Sequence, residues 1–186
     1  MKKETNVGYI LRLTVTLLLI TAFVAAALAG VNAITKDKIT AIQREKADQA
    51  MKEVLPGYEG FTACGFTGSA NVKNVYLPQN GDGSAYVVEV APAGFGGQIL
   101  MMVGIENGKV TGVSIVSQTE TAGLGAVSAD KTEKGSDFRG QFVGKSGSVS
   151  VSKDGGEIDA ITGATITSRA VVVGVNAALA CIQNFG

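Results

Sequence analysis

Within the ten residues Asp159-Ala160-Ile161-Thr162-Gly163-Ala164-Thr165-Ile166-Thr167-Ser168, the chain places four hydroxyls and a flexible glycine just ahead of an apolar helical pattern. A turn of this kind suits an anion. The first backbone N–H groups of a helix lack partners and the macrodipole puts partial positive charge at that end, so a phosphate is favoured there. A phosphodiester on Thr165 would occupy that position, and Gly163 with Ala164 would leave room for a bulky group beside the backbone. The same residues also describe an ordinary helix N-cap, where Thr and Ser are common.

A second stretch, Ser117-Gln118-Thr119-Glu120-Thr121-Ala122-Gly123-Leu124-Gly125, has the composition to meet a flat ring. Gly123 and Gly125 permit close backbone approach, Leu124 offers an apolar face, and Glu120 with Thr121 supplies polar contacts to a ring edge. Taken alone it is a glycine-containing turn. The run Gly94-Phe95-Gly96-Gly97 lacks the G-x-G-x-x-G spacing and follows no βαβ pattern, which argues against a dinucleotide site. Its expected role is a flexible connection.

Composition removes several chemistries. With no histidine, the chain lacks the commonest general base and zinc ligand, and a hydrolase using Thr167 or Ser168 would have no imidazole partner. Two cysteines, Cys64 and Cys181, are too few for a four-cysteine cluster or zinc site, and no metal site is expected. Cys181 falls in an apolar helical pattern and reads as a buried thiol rather than half of a disulfide. The 16 basic residues balance the 16 acidic ones, so no overall field draws the chain to nucleic acid.

The elements that position these residues follow from periodicity. No charge interrupts the 23 residues Leu13 to Thr35, enough for a helix across the roughly 30 Å hydrocarbon core. A cleaved secretory signal is the rival, given Lys2, Lys3, Arg12 and the small-x-small Ala27-Leu28-Ala29, but the apolar run outlasts a signal core of about 7–15 residues. A retained anchor over residues 1–35 is therefore expected, followed by a helical stalk over 36–57 that stops before Pro56-Gly57, and a domain over 58–186. Within the domain, Tyr86, Val88 and Val90 alternate with Val87, Glu89 and Ala91 as in a half-buried strand. Gln98–Glu106 and Lys109–Ser117 form a hairpin about Asn107-Gly108. Short helical signals surround Phe138 and Phe142, Ser148–Lys153 looks like a strand, and a helix closes the chain from about Thr165 to Asn184. The expected fold is α+β, a mainly antiparallel sheet with flanking helices, preceded by one N-terminal transmembrane helix.

Residues 159–165 match D-x-x-[ST]-G-A-T, the acceptor motif of proteins flavinylated by the transferase that uses FAD as FMN donor. The loop around Glu120 resembles the E-T-P-G-L-G segment of the FMN-binding domain, with Ala122 replacing its proline, and Gly94–Gly97 matches that domain's G-[FY]-G-G segment. Over essentially its whole length the chain is similar to the G subunits of Rnf complexes, membrane assemblies that couple electron flow between ferredoxin and NAD to ion transport. The C subunits of sodium-translocating NADH:quinone reductases share both motifs but are typically longer.

The resemblance implies FMN bonded through its phosphate to Thr165. Asp159, Gly163 and Ala164 would form the recognition frame and Thr162, Thr167 and Ser168 the rest of that turn. Glu120, Thr121, Gly123, Leu124 and Gly125 would lie against the flavin. No side chain is then needed as acid or base, because the flavin carries the electrons. Expected partners are the other membrane subunits, a flavin transferase during maturation and lipid, with a single span and the globular domain on the extracytoplasmic side. An anchored binding domain with no cofactor is the alternative from a different class.

Overall fold

A computed structural model describes residues 7–65, 70–81 and 83–183. They form two compact units, the first ending at Arg44 and the second beginning at Glu45. Helix α1, Val7–Val54, covers the described residues of the expected anchor and most of the expected stalk. Its N-terminal part is long and apolar enough to cross a membrane, and none of its most apolar stretch is buried. The threonines in it turn their hydroxyls onto the helix itself: Thr14 donates to the Ile10 carbonyl at 2.9 Å, Thr16 to Arg12 at 2.8 Å and Thr35 to Val31 at 2.7 Å. Such back-bonding satisfies a polar group without water, which is what hydrocarbon surroundings demand. After Val54, Leu55 closes one last bond to the Met51 carbonyl, and the helix ends at Pro56 and at Gly57 with φ 102°.

The second unit is built on a five-stranded meander: β1 Phe61–Ala63, β2 Val72–Pro78, β3 Ala85–Val90, β4 Leu100–Glu106 and β5 Lys109–Ser117, neighbours in space as in sequence and all antiparallel. The β4–β5 hairpin turns at Asn107 and Gly108, with φ 52° and 73°, as a two-residue turn requires. Both faces of the central strands are covered. On one, Val88, Val90, Met101, Val103 and Ile105 pack against Val171, Val175, Ala178 and Leu179 of the closing helix. On the other, Ala85, Val87 and Met102 meet Ala50, Met51, Val54 and Leu55 from the end of α1. The half-buried expectation for β3 is thus corrected: Val87 and Val88 are both fully buried, because the last turns of α1 cap the face that alternation had assigned to solvent.

Helix α2, Glu133–Gly140, carries Phe138, whose ring meets that of Phe142 edge-on at 5.6 Å in the core. The strand expected over Ser148–Lys153 is not formed. The Asn176 side chain satisfies the Val149 N–H and carbonyl at 2.9 Å each, leaving Val151 a single bridge to Ile158 before a 3-10 turn at Ser152–Asp154. An amide side chain from a helix has taken the place of a neighbouring strand. Helix α3, Thr165–Gln183, is also long and apolar enough to cross a membrane, but 56% of that window is buried against the sheet, as in a core helix. Its Cys181 thiol is free and buried, and burial raises its pKa; Cys64 is free and half-buried.

Candidate functional site

Two similar turns face each other beside the start of α3. In the first, the Leu124 N–H donates to the Thr121 carbonyl at 3.1 Å with Gly123 at φ 75°. In the second, the Ala164 N–H donates to the Ile161 carbonyl at 2.9 Å with Gly163 at φ 78°. Positive φ at the third turn position is where glycine is needed, and such turns favour proline at the second position. Ala122 occupies that position in the first turn, and the turn closes without proline's help. The turns touch where the Leu124 side chain covers Gly163: a β-carbon on Gly163 would stand 3.0 Å from Leu124 Cδ2.

Buried polar side chains fix both turns. Ser168 is fully buried, donates to the Ala164 carbonyl at 3.0 Å and accepts from the Ile161 N–H at 3.0 Å, closing the second turn onto the first turn of the helix. Glu120, 8% exposed, accepts from the Gly96 N–H at 2.8 Å through Oε1 and from the Thr167 hydroxyl through Oε2. Gly125 makes this possible, since a β-carbon there would press on Thr167 Oγ1 and the Glu120 side chain. The flexible role expected for Gly94–Gly97 is corrected here. Thr119 donates to the Gly96 carbonyl at 2.9 Å, and β-carbons on Gly94 and Gly96 would run into Glu120 and the Thr119 carbonyl. The run is a packed turn whose glycines allow backbone to meet backbone.

These segments enclose a cleft of about 340 Å³ lined by residues 120, 121, 124, 125 and 163–167 together with Phe95 and Lys153. Of the expected residues, Glu120, Thr121, Leu124, Gly125, Gly163, Ala164, Thr165 and Thr167 line it. Gly123, Thr162, Asp159 and Ser168 do not: Ser168 works from beneath, and Thr162 is exposed. Asp159 is also exposed, its backbone paired with the Gln141 side-chain amide at 2.7 and 3.3 Å. Thr165 is itself the first helical residue, one position past a cap, and its Oγ1 accepts from Lys153 Nζ at 3.1 Å.

Sequence reasoning missed Phe95, Lys153 and Ile166. An aromatic held between glycines was a signal for Phe95; nothing in the spacing pointed to Lys153. Phe95, Leu124 and Ile166 are 68%, 43% and 52% exposed, so the cleft carries uncovered apolar side chains as well as the Thr165 hydroxyl and the Lys153 ammonium. Just outside, Arg169 makes a two-pronged bond to Asp154 at 2.7 and 2.6 Å. That guanidinium lowers the Asp154 pKa, and the carboxylate raises that of Arg169.

The family model of the FMN-binding domain matches residues 94–180, from the glycine turn through most of α3. Over a longer span, the chain is 34% identical to the G subunit of the ion-translocating oxidoreductase complex of Methanosarcina acetivorans, covering 91% of this chain and 93% of that protein. It is 32% identical to the G subunit of the Na(+)-translocating ferredoxin:NAD(+) oxidoreductase complex of Acetobacterium woodii, covering 98% and 96%. With the corresponding ion-translocating oxidoreductase protein of Aliivibrio fischeri the identity is 35% over 85% and 83%. The chain belongs to the family of G subunits of ion-translocating oxidoreductase complexes.

Proposed function

We propose that this protein is the membrane-anchored, electron-carrying G subunit of an Rnf-type ferredoxin:NAD oxidoreductase, with one FMN esterified through its phosphate to Thr165. The observation that carries the reading is that the Thr165 hydroxyl lines a cleft to which Phe95, Leu124 and Ile166 contribute exposed apolar side chains. The volume lies at the lower end of the roughly 300–1,000 Å³ usual for ligand sites, as suits a flat ring left accessible on one side. When bound, the flavin supplies the one- and two-electron chemistry. The protein binds and orients it. Thr165 holds the phosphate; Phe95, Leu124 and Ile166 offer the ring apolar contact; Thr121 supplies a hydroxyl at the rim; Glu120, Thr167 and Ser168 hold the two turns in register.

Attachment requires a flavin transferase. The Thr165 oxygen forms the new bond to phosphorus, the diphosphate bond of FAD breaks, AMP leaves, and the threonine proton passes to solvent or to the transferase. Residues 1–35 are the anchor and 36–57 the stalk, spanning once with the domain on the extracytoplasmic side. There a covalent bond keeps a cofactor that could not be replaced once lost, and the anchor keeps it near the other membrane subunits of the complex. The test is co-expression with a flavin transferase followed by inspection of a denaturing gel for flavin fluorescence. A fluorescent band that disappears in Thr165→Val is expected. Fluorescence unchanged by the substitution, or absent from the unaltered chain, defeats the proposal and favours a cofactor-free binding domain.

A further inference from the structure

The geometry points to Lys153 as the residue that positions the phosphoryl group carried by Thr165. This rests on the proposal that Thr165 bears the flavin. Lys153 is the cation among the residues lining the cleft, and its Nζ donates to Thr165 Oγ1 at 3.1 Å. A phosphodiester built on that oxygen keeps one negative charge on its two non-bridging oxygens, which lie within a bond or two of Oγ1. The ammonium therefore reaches them by a small rotation of its flexible stem, turning a hydrogen bond to a neutral oxygen into an ion pair with a charged one. The cleft's other ionisable lining residue, Glu120, is a carboxyl, so without Lys153 no side chain there would offset the phosphate.

The chain holds this lysine in place by means that serve nothing else in the site. Lys153 is the middle residue of the 3-10 turn Ser152–Asp154. The turn is closed by Asp154 N–H to the Val151 carbonyl at 2.9 Å, Gly155 N–H to Ser152 at 3.1 Å and Gly156 N–H to Val151 at 3.0 Å. Gly155 supplies the left-handed residue that ends it, with φ 83°. Arg169 then clamps the turn to α3 through Asp154. Thr165 and Arg169 are four residues apart on one helix and share a face, so a single turn meets both. The two cations are thereby given different tasks: Arg169 is engaged by Asp154 and holds the scaffold, while Lys153 faces the hydroxyl.

The experiment compares the unaltered full-length chain with Lys153→Gln and Lys153→Arg, each co-expressed with limiting flavin transferase and purified in detergent. Flavin per chain is read from absorbance, the environment of the phosphodiester from its 31P resonance, and immobilisation from the anisotropy of flavin fluorescence. Lys153→Gln is expected to load roughly tenfold more slowly, the size of one charged hydrogen bond. In whatever fraction loads, the 31P resonance moves and the anisotropy falls. Lys153→Arg keeps the charge and stays near the unaltered chain on all three. Complete loss of loading in Lys153→Gln, with loading retained in Lys153→Arg, supports the same conclusion. Equal loading with an unmoved resonance in Lys153→Gln overturns it, as does an equal defect in both variants, which would assign Lys153 a role in shape rather than charge. A wild-type chain that gains no flavin sinks the Thr165 proposal itself, a result distinct from either.

Discussion

The Thr167 hydroxyl donates to the Glu120 carboxylate in the lining of the cleft, joining residues 47 apart in sequence, and both side chains are buried. This bond ties the loop after β5 to the first turn of α3, so the two turns that face each other are held by a contact neither makes alone. Thr167→Val keeps the shape and removes the donor, leaving a buried carboxylate oxygen short of a partner at a cost of about 1–3 kcal/mol. Thr121→Val, at the exposed rim, is expected to change stability by less than about 0.5 kcal/mol. Urea unfolding of the two variants checks the contrast, and equal midpoints would show that the buried bond contributes nothing.

Gly125 and Gly123 lie two residues apart and resist alanine for different reasons. At Gly123 nothing stands within 4 Å of a built β-carbon, so the cost is the left-handed backbone alone, about 1–2 kcal/mol. At Gly125 the added carbon would stand 2.7 Å from Glu120 Oε2 and press on Thr167 Oγ1, so the bond between them must open. Overpacking of about 1–3 kcal/mol is then added to a lost hydrogen bond worth about 1. Gly125→Ala is expected to unfold at lower denaturant than Gly123→Ala and to accept flavin less readily. The reverse order would refute this account of the cleft floor.

What was legible in the sequence was local. Asn107-Gly108, the period of α3 and the length of the apolar run are each written within a few neighbouring residues, and the structure follows them. The two turns at Gly123 and Gly163 were legible because each needs a glycine at one position. Contacts between distant segments were not. Alternation in β3 assigned Val87 to solvent because no pattern within a strand reports that the end of α1 will cover it. Ser148–Lys153 has a strand's composition, yet Asn176 satisfies its backbone from α3, a partner no local period reveals. Lys153 was missed on the same ground: it reaches Thr165 only because Asp154 and Arg169 bring the turn to the helix.

Tyr76 provides a readout of the sheet's far side. Burial first, and then its hydrogen bond to Glu89 at 2.9 Å, push its pKa up to about 12. The unfolded phenol loses its proton near its usual 10. Between these values the folded chain holds a proton that the unfolded chain has released, so stability is full below about pH 10 and falls as pH rises toward 12. Tyr76→Phe removes the ionisation, and its stability should decline less over that window. Tyrosinate absorbance against pH, with unfolding measured at each pH, checks both parts. A Tyr76 that titrates near the usual 10 would remove the basis of the prediction.

Gly104 decides whether the end of α1 can lie on the sheet. A β-carbon there would collide with the Val54 carbonyl and with Thr111 Oγ1, which itself donates to that carbonyl at 2.5 Å. The helix end and the strand thus meet at backbone distance, and Gly104→Ala must push them apart at about 1–3 kcal/mol. Gly112, on the neighbouring strand, would bring its added carbon to 3.0 Å from Val54 Cα, a tighter fit than usual but one that a small shift relieves. The expected result is ordered: Gly104→Ala raises hydrogen exchange and protease cleavage around residues 50–57, Gly112→Ala does so less, and the α3 face is disturbed by neither. The gap between faces follows from the sheet's two separate clusters, because Met51, Val54 and Leu55 pack on Val87 and Met102 while α3 packs on Val88, Val90 and Met101. Protection lost equally on both faces would mean that the two layers open as one cooperative unit, and that the last turns of α1 are as much a part of the core as α3.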